Sequence, residues 1–212
     1  MLYVRHSLLT IDATKKDSLV SKLTTLLDAR KGRAGLRAYR VNISDPRPGL
    51  EKDGENRMCI MAVFDDKDAA DANTGNATSL RESLAESLIG DGSPLIREGE
   101  IIWSFDAEGV AGRPIMPGYM RHRAINFDPS KYDAMMAHMN GLNEQFRGIS
   151  GLAYVHGCRT GEDEFIAIAQ YDSKASADAS QQQVMGILGG MAQFMTSAPR
   201  QQMGEVVWRT DD

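Results

Sequence analysis

The chain has 212 residues, with 24 Lys and Arg against 29 Asp and Glu, for a formal net charge of −5 at pH 7. Its 42% apolar and 25% charged residues are those of a globular protein able to bury a core. The acidic balance and the absence of a dense Lys/Arg run exclude a phosphate-tracking nucleic-acid surface, and MLYVRHSLLTID carries no apolar run long enough for a leader or a membrane span.

In chain order, a first strand is expected over about 2–11, and Asp12 or Thr14 opens a helix as an N-cap. Leu19, Leu23, Leu26 and Leu27 recur at the spacing of a one-sided helix. Gly32 is placed to end that helix in the left-handed conformation, and Arg30, Lys31 and Arg33 sit there as cations complementing the helix dipole. Strands follow at about 35–43 and 57–64, separated by the turn-rich loop Ser44 to Asn56. A helical region over about 66–89 carries Leu80, Leu84 and Leu88, with a break expected at Gly75. A last strand runs over about 99–105.

The same series then recurs. Tyr3, Arg5, His6, Asp12, Lys15, Asp17, Leu26, Gly32, Gly35 and Leu36 meet identical residues 116 positions on, from Tyr119 to Leu152, without a gap. Further blocks follow in the same order. Phe64-Asp65-Asp66-Lys67 matches Tyr171-Asp172-Ser173-Lys174, and Gly99 to Trp103 matches Gly204 to Trp208. Three ordered blocks mark an internal duplication. In copy two the strands fall at about 118–127, 151–158, 164–171 and 204–209. Met135, Met139, Leu142 and Phe146 stripe the first helix, Gly148 is placed to end it, and Val184, Ile187, Leu188 and Met191 stripe the second. "GILGG" (Gly186 to Gly190) reads as close helix packing.

Each copy is therefore β-α-β-β-α-β, with helices on one sheet face and the other face bare. The expected fold class is α+β: two tandem ferredoxin-like βαββαβ repeats, residues 1–107 and 118–212, joined by a Gly/Pro-rich linker at 108–117. Packing the two bare faces together gives a pseudo-dimeric α/β barrel. Cys59 and Cys158 fall within strands, and buried reduced thiols in a cytoplasmic protein are expected.

This element order, the apolar-x-apolar-Asp opening before the first helix, the Gly-x-x-Gly that ends it, and the Phe64-Asp65-Asp66 and Tyr171-Asp172-Ser173 strand ends resemble the dimeric α/β barrel superfamily. The likeness is to its antibiotic biosynthesis monooxygenase-like group, here with two units fused in one chain. The resemblance implies a ligand held in the barrel or between sheet and helices. It leaves open cofactor-free oxygenation of polyphenols and quinols, haem degradation, lactone isomerisation or no catalysis. Neither second helix contains His or Trp, which argues against haem degradation and departs from the polyketide-oxidising members as well.

His6 and His122 are the sharpest candidates. Leu9 and Ile11, or Ile125 and Phe127, should face the helices, so alternation points His6, Leu8 and Thr10, or His122, Ala124 and Asn126, the other way. An imidazole there could be a general base, or simply a satisfied structural group. No carboxylate or Cys stands at convincing ligand spacing beside them, so no metal is expected. Trp103 and Trp208 could wall an aromatic ligand, though core packing is the ordinary role of such residues. Arg40, Tyr154 and His156 on the second strands are the remaining substrate-binding candidates; Tyr39 shares that strand, and Arg40 and His156 are equivalent in the repeat. His138 is expected to face solvent.

The functional expectation is a monooxygenase without a cofactor, acting on an electron-rich aromatic or quinol-type small molecule. His122 or His6 serves as base, Asn126 assists, and the second copy is preferred as the active one. The alternative is a non-catalytic protein of the same fold that binds a small apolar molecule or mediates assembly. Its partners would be such a molecule and, in a homodimer, a second barrel, with neither nucleic acid nor membrane.

Overall fold

The computed structural model describes residues 1–46, 54–107 and 118–211. The expected linker at 108–117 and the centre of the Ser44 to Asn56 loop lie outside the described residues. The chain folds as the expected α+β barrel: eight antiparallel strands close in the order β1-β3-β2-β8-β5-β7-β6-β4. In the first copy these are β1 (Tyr3–Asp12), β2 (Leu36–Ser44), β3 (Glu55–Phe64) and β4 (Leu95–Asp106). The second copy has β5 (Gly118–Asn126), β6 (Leu152–Arg159), β7 (Glu164–Tyr171) and β8 (Arg200–Asp211). Chain contacts define two compact units, 1–100 with 205–212 and 101–204, so β4 and β8 each contribute to both.

In unit 1 the sheet order β4-β1-β3-β2 is that of a split βαβ plan. The Asp12 carboxylate accepts from the Thr14 N–H over 2.9 Å and starts a short 3-10 turn, from which α1 (Lys16–Asp28) continues. Leu19, Leu23 and Leu27 are fully buried and pack with Leu9, Ile11, Val41, Ile43, Met58 and Ile60 of the sheet. The helical region breaks into α2 (Lys67–Ala72) and α3 (Thr74–Ser83). The break falls at Asn73, whose Nδ2 donates to the Ala69 carbonyl over 2.8 Å, and Gly75 lies inside α3. A side-chain amide competing for a helix carbonyl, rather than a flexible glycine, makes this hinge.

Unit 2 repeats these devices. Asp128 caps the Ser130 N–H over 3.0 Å ahead of α4 (Tyr132–Asn140), which Gly141 separates from α5 (Asn143–Arg147). The second helical region divides into α6 (Lys174–Ala179) and α7 (Gln181–Met191) at Ser180, whose hydroxyl donates to the Ala177 carbonyl over 2.9 Å. Met135, Met139, Phe146, Val184, Ile187 and Met191 pack on Ile125, Phe127, Val155 and Phe165. In both copies the register slips at the same place, between Leu36 and Ala38 and between Leu152 and Tyr154. Gly35 and Gly151 stand just before, with φ of +76° and +73°. Gly32 is left-handed as expected, but Gly148 has φ −76°, and Gly151 takes the left-handed place instead. Of the GILGG glycines, Gly186 and Gly189 approach nothing; only Gly190 packs closely, against His138. His138 is accordingly half-buried with its ring on Phe194, not solvent-facing.

Candidate functional site

β1 decides which residues share a face. Leu9 and Ile11 join the helix-side core, so Tyr3, Arg5 and Ser7 share that side and His6, Leu8 and Thr10 take the opposite one. His6 is 4% exposed, and its Nε2 lies 2.8 Å from the Sγ of Cys59 on β3. A cysteine therefore does stand beside His6, contrary to the sequence expectation: the β1–β3 register places Cys59 opposite Leu8, within reach of the His6 ring. Burial, with Arg97 nearby, pushes the His6 imidazole down to about 4, and burial raises the Cys59 thiol well above its usual range. The two groups meet as neutral imidazole and neutral thiol. Both cysteines are free and buried.

His122 is buried on the face of β5 that points away from the helix-side core. Asn126, at the end of β5, accepts from Arg200 over 3.2 Å, and Arg200 also pairs with Glu164. Tyr154 donates to Gln170 over 2.9 Å and stacks on His156 at 4.4 Å, with His156 Nε2 3.5 Å from Asp106. Arg40 is buried on the face of β2 opposite Tyr39 and Val41. Trp103 packs on Phe146 at 5.5 Å in the unit 2 core, and Trp208 meets Tyr39 edge-on at 6.0 Å in the unit 1 core.

What these residues do not surround is the principal cavity of unit 1. It measures about 550 Å³ and lies between the sheet and α3. Arg5, Ser7, Leu9, Tyr39 and Ile60 form its sheet wall, with Thr74, Ala77, Thr78, Leu80, Arg81 and Leu84 on the helical side and Ile96 and Glu98 from β4. A recess of about 40 Å³ shares Arg5, Ser7, Tyr39, Ile60 and Ala77 and extends past Arg30, Arg33, Asn73 and Asn76. None of the histidines, and neither Trp, lines either space.

Arg5 organises the wall. Its Nε donates to Glu98 over 2.6 Å, its Nη1 to the Ala70 carbonyl and Thr74 hydroxyl at 3.0 Å each, and Asp71 lies 3.6 Å from Nη2. Its counterpart Arg121 also bonds a helix carbonyl, that of Ala177, over 2.8 Å. Burial raises the Tyr39 phenol above its usual range, so the cavity meets a neutral hydroxyl there. Sequence reasoning passed over Arg5 and Ser7 because it sought histidines, and it noted Tyr39 on the second strand without making it a site candidate. The available signal was an arginine in phase with Leu9 and Ile11, on a face that should be apolar.

No family model and no curated protein matches the chain. Solved structures do match it. A candidate monooxygenase of Fusobacterium nucleatum aligns over 100% of this chain and 94% of its own, with TM-score 0.77 at 11% identity. One from Lactobacillus acidophilus covers 99% and 96%, with TM-score 0.71 at 12% identity. An anthrone oxidase-like protein covers 99% and 92%, with TM-score 0.65 at 17% identity. At these identities the likeness is one of fold: the chain has the dimeric α/β barrel fold of the antibiotic biosynthesis monooxygenase-like proteins, as two tandem repeats.

Proposed function

We propose that the protein is an oxygenase of an electron-rich aromatic or quinol-type molecule, bound between sheet and helices in unit 1 and oxidised without a cofactor. The cavity of about 550 Å³ carries this reading, since its volume and apolar walls suit a fused-ring compound. The Arg5–Glu98 pair supplies the chemistry. Glu98 accepts the acidic proton of the substrate, and at that moment the Arg5 guanidinium, with Asp71 standing 3.6 Å away, loses the closer of its two carboxylate partners. Its charge is then free to hold the substrate oxyanion, so total charge in the site is conserved while the anion forms. The anion passes electrons to dioxygen. One oxygen atom enters the ring carbonyl and the other leaves as water with the two hydrogens lost from that carbon. The histidines, assigned the base role from sequence, stand on the other sheet face from this cavity, and a carboxylate takes that role in the present reading.

A second reading, a non-catalytic carrier of the same ligand, is favoured by one observation: Arg5 already has a full set of partners. Oxygen uptake and substrate absorbance, followed with a panel of quinols and anthrone-like phenols, decide between them. Oxygen-dependent turnover lost in Glu98→Gln and kept in His6→Ala and His122→Ala supports the oxygenase. Ligand binding with no oxygen uptake leaves the carrier.

A further inference from the structure

The two copies agree in their framework and differ around the cavity. Where unit 1 has Ser7, unit 2 has Arg123, and the registers confirm the equivalence: Ser7 pairs with Ile60 and Arg123 with Ala167. Where unit 1 has Arg30, Arg33 and Tyr39, unit 2 has Phe146, Ile149 and Val155, all packed in its apolar core. Ala77 and Asn76 correspond to Val184 and Gln183. Unit 2 thus places apolar side chains where unit 1 has Arg30, Arg33 and Tyr39, and a buried arginine where unit 1 has Ser7.

Arg30 and Arg33 are not paired with acids among the described residues. Arg30 donates Nη1 to the Leu26 carbonyl over 2.6 Å, and Nη2 reaches the Asn76 carbonyl at 3.5 Å. Its Nε is buried without a hydrogen-bond partner. Neither Arg30 nor Arg33 forms an ion pair with a described carboxylate. In the large cavity, by contrast, Arg5 is matched by Glu98 and Asp71. The recess therefore has net positive charge, Asn73 and Asn76 as further polar groups, and a volume of about 40 Å³. That volume takes a group of a few atoms and excludes a second ring. A planar guanidinium suits a carboxylate-type oxyanion geometrically as well as electrostatically.

We infer that the ligand of unit 1 is an aromatic acid: fused rings in the main cavity and a carboxylate, or an oxyanion of similar size, in the recess between Arg30 and Arg33. This deepens the proposed function and rests on it for the placement of the rings, while the charge preference is independent of any catalysis.

Titration of the full chain with 6-hydroxy-2-naphthoate and with 2-naphthol, followed by calorimetry, tests it. The naphthoate is expected to bind at least about tenfold more tightly than the naphthol, a preference that added salt reduces. Arg30→Gln with Arg33→Gln should abolish the preference, read as the ratio of the two affinities in the same folded variant, and Arg33→Lys should keep much of it. Equal affinity for the two probes, a preference surviving in the double Gln variant, or binding of neither probe overturns the inference. Oxygen uptake with a neutral anthrone separates the two claims. Turnover without charge preference removes only the aromatic acid, and charge preference without turnover on any quinol removes only the oxygenase.

Discussion

Arg5 Nε donates to Glu98 Oε2 over 2.6 Å across the β1–β4 pair, at the wall of the unit 1 cavity. This is an ion pair between neighbouring strands with a ligand-sized space beside it, not a surface bridge, because the arginine is buried and its other nitrogens are fixed on α2 and α3. If Glu98 takes the substrate proton, Glu98→Gln keeps the shape and removes the acceptor. Turnover should then fall by about 100-fold, the scale of a lost general base, with affinity for a neutral ring ligand little changed. Steady-state oxygen uptake and calorimetry on the same variant check it, and unchanged turnover would exclude Glu98 as the acceptor.

The buried His6 gives a pH prediction of definite sign. In the unfolded chain the imidazole takes a proton below its ordinary 6.5, whereas in the fold it holds out until about 4. Between those values the unfolded state binds more protons, so stability falls as pH drops through this window. The loss between pH 6.5 and pH 5 should be about 1.5 kcal/mol, since the unfolded imidazole is already half protonated at the upper end of that window. Urea unfolding of wild type and His6→Gln at both pH values isolates the contribution. The variant's pH slope should be shallower by that amount, and identical slopes would show that His6 is not held neutral.

The frame of this protein was legible in its residues, and the candidate cavity was not. Leu9 and Ile11, the Asp caps and the repeated Gly-x-x-Gly were decisive because each answers a local demand: a buried stripe, an open helix end, a left-handed turn. The cavity answers no local demand. It borders Ser7 and Ala77, small residues where the other copy has the larger Arg123 and Val184. The search for shared residues led to His6 and His122, whereas the candidate cavity is bordered by the shared Arg5 together with positions at which the copies differ. The helix break also eluded the sequence: Gly75 was the obvious residue, yet Asn73 and Ser180 share the break by side-chain bonding, for which their residue types gave only weak notice.

Arg123 is a cost the fold carries. It is 5% exposed, burial and the adjacent Arg121 push it down to about 10, and its Nη2 has no hydrogen-bond partner. Replacing this buried, incompletely bonded cation with an apolar side chain of similar length removes the desolvation penalty. Arg123→Met is therefore expected to stabilise the protein by about 1–3 kcal/mol in urea unfolding. Arg123→Ser makes the complementary test, since it copies unit 1. It should open space for a ring ligand in unit 2 and add a second, weaker binding event to the calorimetric titration. A destabilised Arg123→Met would mean that bonds of the guanidinium outweigh its desolvation.

Gly151 shows how tightly the repeated turn is built. A Cβ there would lie 2.5 Å from the Ser176 Cβ and 2.7 Å from an Asp172 oxygen, on a backbone with φ +73° that side chains rarely adopt. Its carbonyl meanwhile accepts the Asp172 N–H over 2.9 Å, as that of Gly35 does for Asp65, so the turn cannot move without losing the bond that fixes the strand end. Gly151→Ala combines left-handed strain with overpacking and should cost about 2–4 kcal/mol. Gly35→Ala meets the Ala69 Cβ at 2.6 Å and should cost a similar amount. The two differ in what they report. Gly35 carries the turn ahead of Leu36, which lines the recess, so its variant should also weaken naphthoate binding. Gly151 belongs to the filled copy, so its variant should lose stability alone. Equal loss of ligand binding in both variants would show that the two units do not divide the labour in this way.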